Sequence, residues 1–318
     1  MKKISIITPT YNEEENIFPL VESVFEVIKK QKNYLFEHLI IDNASEDSTE
    51  DRIKKIIESM PHVGLIINNR NFGQIRSPFH ALVTSNADAV IIICADLQDP
   101  PEMISEFIKF WEEGAKVVAG VKKKSKENII LFNIRKLYYW LLKSLSDHNL
   151  ISNWNGFGLI DKEVLLEFKK VKDTFPYFRG LISDLGYDIK EVSYEQNIRL
   201  RGKSKNNFLS LFDYAVVGMT SNSKMPIRAA TLLGMIFSFF SLAVGFFYFI
   251  FKIIYWDSFQ LGVAPVIILF SLGMSLVIFF LGIIGEYIGS IHAEVISRPR
   301  VIEKKRINYP VSKELNKS

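Results

Sequence analysis

Short runs of branched apolar residues recur over the first 120 positions, and a longer amphipathic stretch follows each. The runs Ile4–Thr8, His38–Ile41, Val63–Ile67, Ala89–Cys94 and Lys116–Ala119 predict strands. The stretches near Glu15–Lys30, Asp47–Ser59, Ile75–Ser85 and Pro101–Glu112 predict the helices between them. Strands that are almost continuous in Ile and Val, alternating with helices, predict a parallel sheet covered on both faces. The expected fold class is α/β, with a Rossmann-like, mainly parallel sheet.

The rhythm changes after Ala119. Lys122, Lys123, Lys124, Lys126, Arg135 and Lys136 form a basic stretch, partly on a predicted helix near Asn128–Leu145. Arg199, Arg201, Lys203 and Lys205 form a second one, with Tyr177-Phe178-Arg179-Gly180 between them. The lysines read as solvated faces. The arginines differ, because a planar guanidinium fork suits phosphate. Asn206–Thr220 mixes Phe208, Leu209, Leu211, Phe212, Val216 and Val217 with polar residues, which predicts an amphipathic helix lying on a membrane.

Beyond Pro226 two windows contain no charge: Ala229–Phe251, of 23 residues, and Ser258–Gly285, of 28. A hydrocarbon core of roughly 30 Å needs about 20 apolar helical residues. The windows therefore predict a transmembrane hairpin, with a pair of buried core helices as the alternative. Lys224 and Arg228 before it, and Arg298, Arg300, Lys304, Lys305 and Arg306 after it, place both ends in the cytoplasm by the positive-inside bias. The basic tail reads either as a solvated charge run or as a contact with anionic lipid. The expectation is thus a two-span protein of the cytoplasmic membrane.

Composition fits that partition. The chain has 318 residues, 48% hydrophobic and 13% aromatic, and most of the apolar excess follows Pro226. No signal peptide is expected: the first apolar run, Ile4–Ile7, is short and Glu13-Glu14-Glu15 follows it. One cysteine, Cys94, rules out an internal disulfide and fits a reducing compartment. The net charge of +4 is modest, and no aromatic-plus-basic stripe or zinc spacing argues for nucleic acid.

Candidate chemistry lies where the strands end, since ligands of such sheets sit at the strands' carboxyl ends. The first strand runs into Pro9-Thr10-Tyr11-Asn12-Glu13-Glu14 and the second into Asp42-Asn43-Ala44-Ser45. The third runs into Asn68-Asn69-Arg70-Asn71-Phe72-Gly73 and the fourth into Asp96-Leu97-Gln98-Asp99. The first turn lacks G-x-G-x-x-G, which argues against a nicotinamide or flavin dinucleotide. Gly202-Lys203-Ser204 resembles a P-loop end, but Asn197 stands where the upstream glycine belongs. An acidic edge can still bind a nucleotide diphosphate through a divalent cation. Asp96 and Gln98, alternating on an extended segment, would face one side and offer hard oxygens to Mg²⁺ or Mn²⁺. Pro100-Pro101 starts the next helix. The Cys94 thiol is too soft for Mg²⁺ and reads as a packing residue rather than a nucleophile.

Three segments carry a resemblance: Ser5-Ile6-Ile7-Thr8-Pro9-Thr10-Tyr11-Asn12-Glu13, Ile41-Asp42-Asn43-Ala44-Ser45 and Ala95-Asp96-Leu97-Gln98-Asp99-Pro100-Pro101-Glu102. They resemble family 2 glycosyltransferases of GT-A fold. With Ser223–Arg228 and Leu281–Gly289, the chain is similar to the polyprenyl-phosphate branch, which holds dolichol-phosphate mannosyltransferases and Gtr-type bactoprenol glucosyltransferases. The resemblance implies metal-dependent, inverting transfer of a sugar from a nucleotide-diphosphate sugar to polyprenyl (undecaprenyl) phosphate, for cell-envelope glycan modification. It implies that Pro9, Tyr11, Glu13, Asp42 and Asn43 hold base and ribose. It assigns the metal, Mg²⁺ or Mn²⁺, to Asp96 and Gln98, the acceptor phosphate to Arg135, and the donor diphosphate to Arg201 and Lys203. Asp96, Arg135 and Arg201 are the expected catalytic residues. A homo-oligomer, in the form of a tetramer, is also implied.

The division expected is a glycosyltransferase domain at 1–205, a juxtamembrane segment at 206–228, spans at about 229–252 and 262–284 within 229–285, and a basic tail at 286–318. Two departures stand out. The family usually has Asp-x-Asp where this chain has Cys94-Ala95-Asp96, and often Asp-Phe-Arg-Leu where it has Gly156-Phe157-Gly158-Leu159. They point to a different sugar pocket or to a weakened enzyme. A degenerate membrane scaffold is therefore the second reading. A processive polysaccharide synthase is the third, disfavoured by two spans and no Gln-x-x-Arg-Trp segment.

Overall fold

The computed structural model describes residues 1–123, 151, 153–197, 225–255, 263–296 and 299–309. They fall into two units. The first comprises Met1–Trp140, His148–Asn207 and Ser297–Ser318, and the second Leu141–Asp147 and Phe208–Ile296.

In the first unit the expected alternation is present: β1 (Lys2–Thr10), α1 (Ile17–Ile28), β2 (Tyr34–Asp42), α2 (Thr49–Ser59), β3 (Val63–Asn68), α3 (Gly73–Thr84), β4 (Ala89–Ile92), α4 (Met103–Glu112) and β5 (Val117–Lys122). Then follow β6 (Trp154–Asp161), α5 (Lys162–Lys170), α6 (Phe178–Asp184) and β7 (Ile189–Tyr194). The strands form one eight-stranded sheet in the order β7-β5-β6-β4-β1-β2-β3-β8, where β8 is Glu303–Ile307.

Sequence pattern explains the layers. In α1 the residues Ile17, Leu20, Val21, Val24 and Ile28 recur at helical spacing and are all buried. With α2 and α4 they cover one face of the sheet, beneath Ile4, Ile6, Ile40 and Ile91. Phe79 and Leu82 of α3 and Val164 and Phe168 of α5 cover the other, beneath Ile7, Ile41, Ile66 and Val90. Alternate residues of each central strand thus enter opposite cores, which is why those strands read as unbroken apolar runs.

The structure refines the expected sheet. It is mixed around a parallel centre: β1–β2, β1–β4, β2–β3 and β5–β7 are parallel, whereas β4–β6, β5–β6 and β3–β8 are antiparallel. The basic tail also contributes β8, which pairs Leu65 with Ile307 and Ile67 with Lys305 at the sheet edge. A charged edge strand is a common way to block further pairing, and its charge hides it from a hydrophobicity pattern. The helix expected near Asn128–Leu145, and the amphipathic segment over Asn206–Thr220, lie outside the described residues.

The second unit contains helices α7 (Met225–Ile254) and α8 (Val263–Ile296). Gly234 of the first faces the Phe280 ring of the second, at a separation where a Cβ would make an ordinary van der Waals contact of 3.6 Å. Among the described residues no helix is long and apolar enough to cross a membrane. The two-span hairpin, and the cytoplasmic-membrane location drawn from it, are corrected on that finding. A span of roughly 30 Å needs about 20 consecutive apolar residues. A window free of charge establishes composition, and not a span.

Candidate active site

The parallel register sets the carboxyl edge level. Pro9 pairs with Ile41 and Thr10 with Asp42, so the first two strands end side by side. Their loops then bind each other. The Asn12 amide donates to Ser45 Oγ at 2.8 Å, and Asn12 Oδ1 accepts from the Glu46 amide at 2.7 Å. The Glu13 amide donates to Thr49 Oγ1 at 2.9 Å. Asn12 and Ala44, at φ 53° and 60°, turn both loops by left-handed backbone.

Asp42 ends β2 with no exposed surface, and Ser45 donates to it through its amide at 3.1 Å and its hydroxyl at 2.5 Å. Burial pushes the Asp42 carboxyl up from its ordinary range, against those two bonds. Asn43 is committed internally. Its Oδ1 accepts from Asn68 Nδ2 at 3.0 Å and the Phe72 amide at 2.9 Å, and its Nδ2 donates to Asn71 Oδ1 at 2.8 Å. Asn43 therefore fixes the loop between β3 and α3.

The fourth strand ends sooner than expected. The ladder of β4 stops at Ile92, and Leu97 is left-handed at φ 60°. Asp96 and Gln98 thus lie in a turn, not on an extended segment, and the Gln98 amide donates to Asp96 Oδ1 at 3.3 Å. That local bond competes with strand extension, as short acidic side chains commonly do. Gln98 Nε2 donates to the Asn197 carbonyl at 3.4 Å, and the Asn197 amide donates to the Gln98 carbonyl at 3.0 Å.

Beside this turn is a carboxylate that the sequence reading did not single out. Asp99 has no exposed surface. It accepts from the Tyr194 hydroxyl at 2.5 Å and from Asn155 Nδ2 at 3.2 Å. Its signal was an acid between a polar turn and two prolines, where a plain solvating residue fits as well. Half-buried Cys94 lies against it. Burial, then Asp99 and Asp96, push the Cys94 thiol well above its ordinary range. A protonated thiol is a poor nucleophile, in line with a packing role.

The substituted positions are shaped for glycine. A Cβ on Gly156 would lie 2.6 Å from the Phe178 ring, and one on Gly158 would lie 2.1 Å from the Val118 carbonyl. Gly156 also adopts φ +105°, where glycine is favoured. The space an acid and an arginine would need is filled by Phe178 and by the β5 backbone.

The structure brings Pro9, Tyr11, Glu13, Asp42, Asn43, Asp96 and Gln98 to one edge of the sheet, on the loops and ends of β1, β2 and β4. Arg135, Arg201 and Lys203 lie outside the described residues. A cleft of about 750 Å³ lined by Met1, Lys2, Asp88, Trp111 and Lys162 opens at the opposite edge. Its carboxylates are paired internally, Asp88 with Lys162 at 3.2 Å and Asp161 with Trp111 Nε1 at 2.7 Å, so it lacks the convergent acidic loops.

A parallel-centred α/β sheet with acidic loops gathered at its carboxyl edge is an architecture that places a ligand site at that edge. Residues 5–175 match the model of the glycosyl transferase family 2, and the chain belongs to that family. It is 32% identical to the uncharacterized glycosyltransferase YkcC of Bacillus subtilis over 95% of this chain and 93% of that protein. It is also 32% identical to the bactoprenol glucosyl transferase of Shigella phage SfX, over 96% of this chain and 99% of that one. A glucosyl-3-phosphoglycerate synthase from Mycobacterium tuberculosis shares the fold, with a TM-score of 0.51 at 17% identity over 71% of this chain and 81% of its own.

Proposed function

We propose that this glycosyltransferase moves a sugar from a nucleotide-diphosphate donor to a polyprenyl phosphate, giving a lipid-linked sugar for cell-envelope glycans. The observation that carries the reading is the convergence of the β1, β2 and β4 loops on one edge, in a chain similar over almost its full length to bactoprenol glucosyl transferases.

The donor set fits a divalent cation shared with substrate. Among the described residues no group of three or more His, Cys, Asp and Glu could hold a metal alone. Asp96 offers one carboxylate. Gln98 engages its Nε2 with Asn197, which leaves Oε1 as the acceptor end of the amide. One or two protein oxygens plus phosphates are the usual Mg²⁺ arrangement. When bound, Mg²⁺ or Mn²⁺ neutralises charge on the leaving diphosphate. Pro9, Tyr11, Glu13 and Asp42 hold the nucleoside, Arg201 and Lys203 the diphosphate, and Arg135 the acceptor. Asn43 shapes the nucleoside side through Asn68 and Phe72.

The acceptor is its own nucleophile. A phosphate monoester has a second pKa near 6 and is largely dianionic at neutral pH. Its oxygen forms a bond to the anomeric carbon, the bond from that carbon to the diphosphate breaks with inversion, and the nucleoside diphosphate leaves with the electron pair. No strong base is needed. The residues bring two anions together and offset their repulsion. The scaffold reading is disfavoured by the similarity to bactoprenol glucosyl transferases over almost the full chain.

The test supplies labelled UDP-, GDP-, CDP- and dTDP-sugars with undecaprenyl phosphate and Mn²⁺. Label in the organic-extractable lipid from one donor is the expected result, and none from any donor refutes the reading. Sedimentation of the purified protein tests the tetramer.

A further inference from the structure

We propose that Tyr194 is a positioning residue that, through Asp99, holds the Asp96–Gln98 turn in place for the donor diphosphate and its cation; this rests on the function proposed above. Asp99 is fully buried and gathers donors from separate segments. Tyr194 closes β7 and donates at 2.5 Å, and Asn155, on β6, reaches both carboxylate oxygens at 3.2 Å. A buried carboxylate is tolerated only when its oxygens are satisfied, so this hub fixes the conformation of whatever is attached to it. Attached to it, within three residues, are Gln98 and Asp96.

The chain leaving β7 is joined to the same turn a second time. Asn197 and Gln98 exchange two hydrogen bonds, at 3.0 Å and 3.4 Å. Tyr194 and Asn197 therefore hold the exit of β7 along the turn at two levels. One clamp thus holds the turn that offers oxygens to the cation.

The test uses the full-length protein, with Tyr194→Phe to remove a single oxygen. Mn²⁺ binding is read by electron paramagnetic resonance in the presence of UDP, GDP, CDP or dTDP, and folding by near-ultraviolet circular dichroism. The expected result is a folded variant whose Mn²⁺–nucleotide dissociation constant rises about tenfold. The donor KM rises with it, while the acceptor KM is unchanged. If Tyr194→Phe does not fold, Asn155→Ser removes another donor to the same carboxylate and carries the same expectation. A dissociation constant equal to wild type in the folded variant overturns the clamp. A wild-type protein that binds Mn²⁺ with none of the four nucleotides overturns the function on which it rests.

Discussion

Gly158 stands against the carbonyl of Val118 so closely that a Cβ would lie 2.1 Å from the oxygen. The contact is with backbone, so no rotamer relieves it. Gly158→Ala is expected to destabilise the protein by about 3 kcal/mol. Gly156→Ala meets a movable ring, that of Phe178 at 2.6 Å. Urea denaturation of Gly156→Ala with and without Phe178→Leu should show the second change recovering part of the loss. Independent, additive losses would mean that the ring is not the obstacle.

Asp96→Ala should remove at least 99% of transfer, since the turn offers no second carboxylate that is free of the Asp99 hub. Activity measured across a Mn²⁺ series checks this. A variant restored at high Mn²⁺ would make Asp96 a helper rather than the principal ligand.

Asn43→Ala should act on stability before it acts on donor affinity. It breaks bonds to Asn68, Asn71 and Phe72, leaves the buried Phe72 amide without this acceptor, and leaves Asn68 Nδ2 with only its bond to Ser77 Oγ. The expected cost is about 2–3 kcal/mol, read by urea denaturation. A normal midpoint with a raised donor KM would instead give Asn43 a direct donor contact.

His38 carries a pH dependence. Burial, then His62, pushes its imidazole down to about 3, and Thr8 Oγ1 lies 2.9 Å from its Nε2. The unfolded chain takes up a proton near 6.5 while the native chain does not, so stability falls with pH over that window. The contribution lost between pH 7.5 and 5.5 is about 1.4 kcal/mol. Denaturant midpoints at the two values, with the His38 imidazole followed by NMR, give the check. A His38 resonance titrating near 6.5 would contradict it.

Glu303 ties β8 to α3. Its burial raises the carboxyl pKa, but hydrogen bonds from His80 and Arg306 outweigh that and bring it to about 2. A depressed carboxyl stabilises above its unfolded value and loses that contribution as pH falls toward 2. Glu303→Gln should therefore cost about 2 kcal/mol at pH 7 and speed amide exchange in β8 and β3. Unchanged exchange in both strands would show that the edge strand holds without the pair.

Legibility followed the type of element. The strands and helices up to Ala119 could be read because each central strand enters two cores and each helix one. The later strands could not. Trp154–Asp161 carries two glycines and alternates poorly, and Glu303–Ile307 is charged because it is an edge. The placement of Asp42 and Asp96 at strand ends was legible from the apolar runs before them. The internal bonds of Asn43 and the Asp99 hub were not, because the same residue types serve ligands and internal loops equally well.

The sequence by itself determined the α/β alternation, the polar loops at the carboxyl ends of the strands and the family, since those depend on local periodicity and on short contiguous motifs. Only the tertiary structure decided which polar groups are spent inside the protein. Asn43 meets Asn68 across 25 residues, and Asp99 meets Tyr194 across 95. Whether a side chain is left for a ligand depends on partners that distant, and chain closure over such separations is fixed by the packing of the whole sheet rather than by any window of sequence.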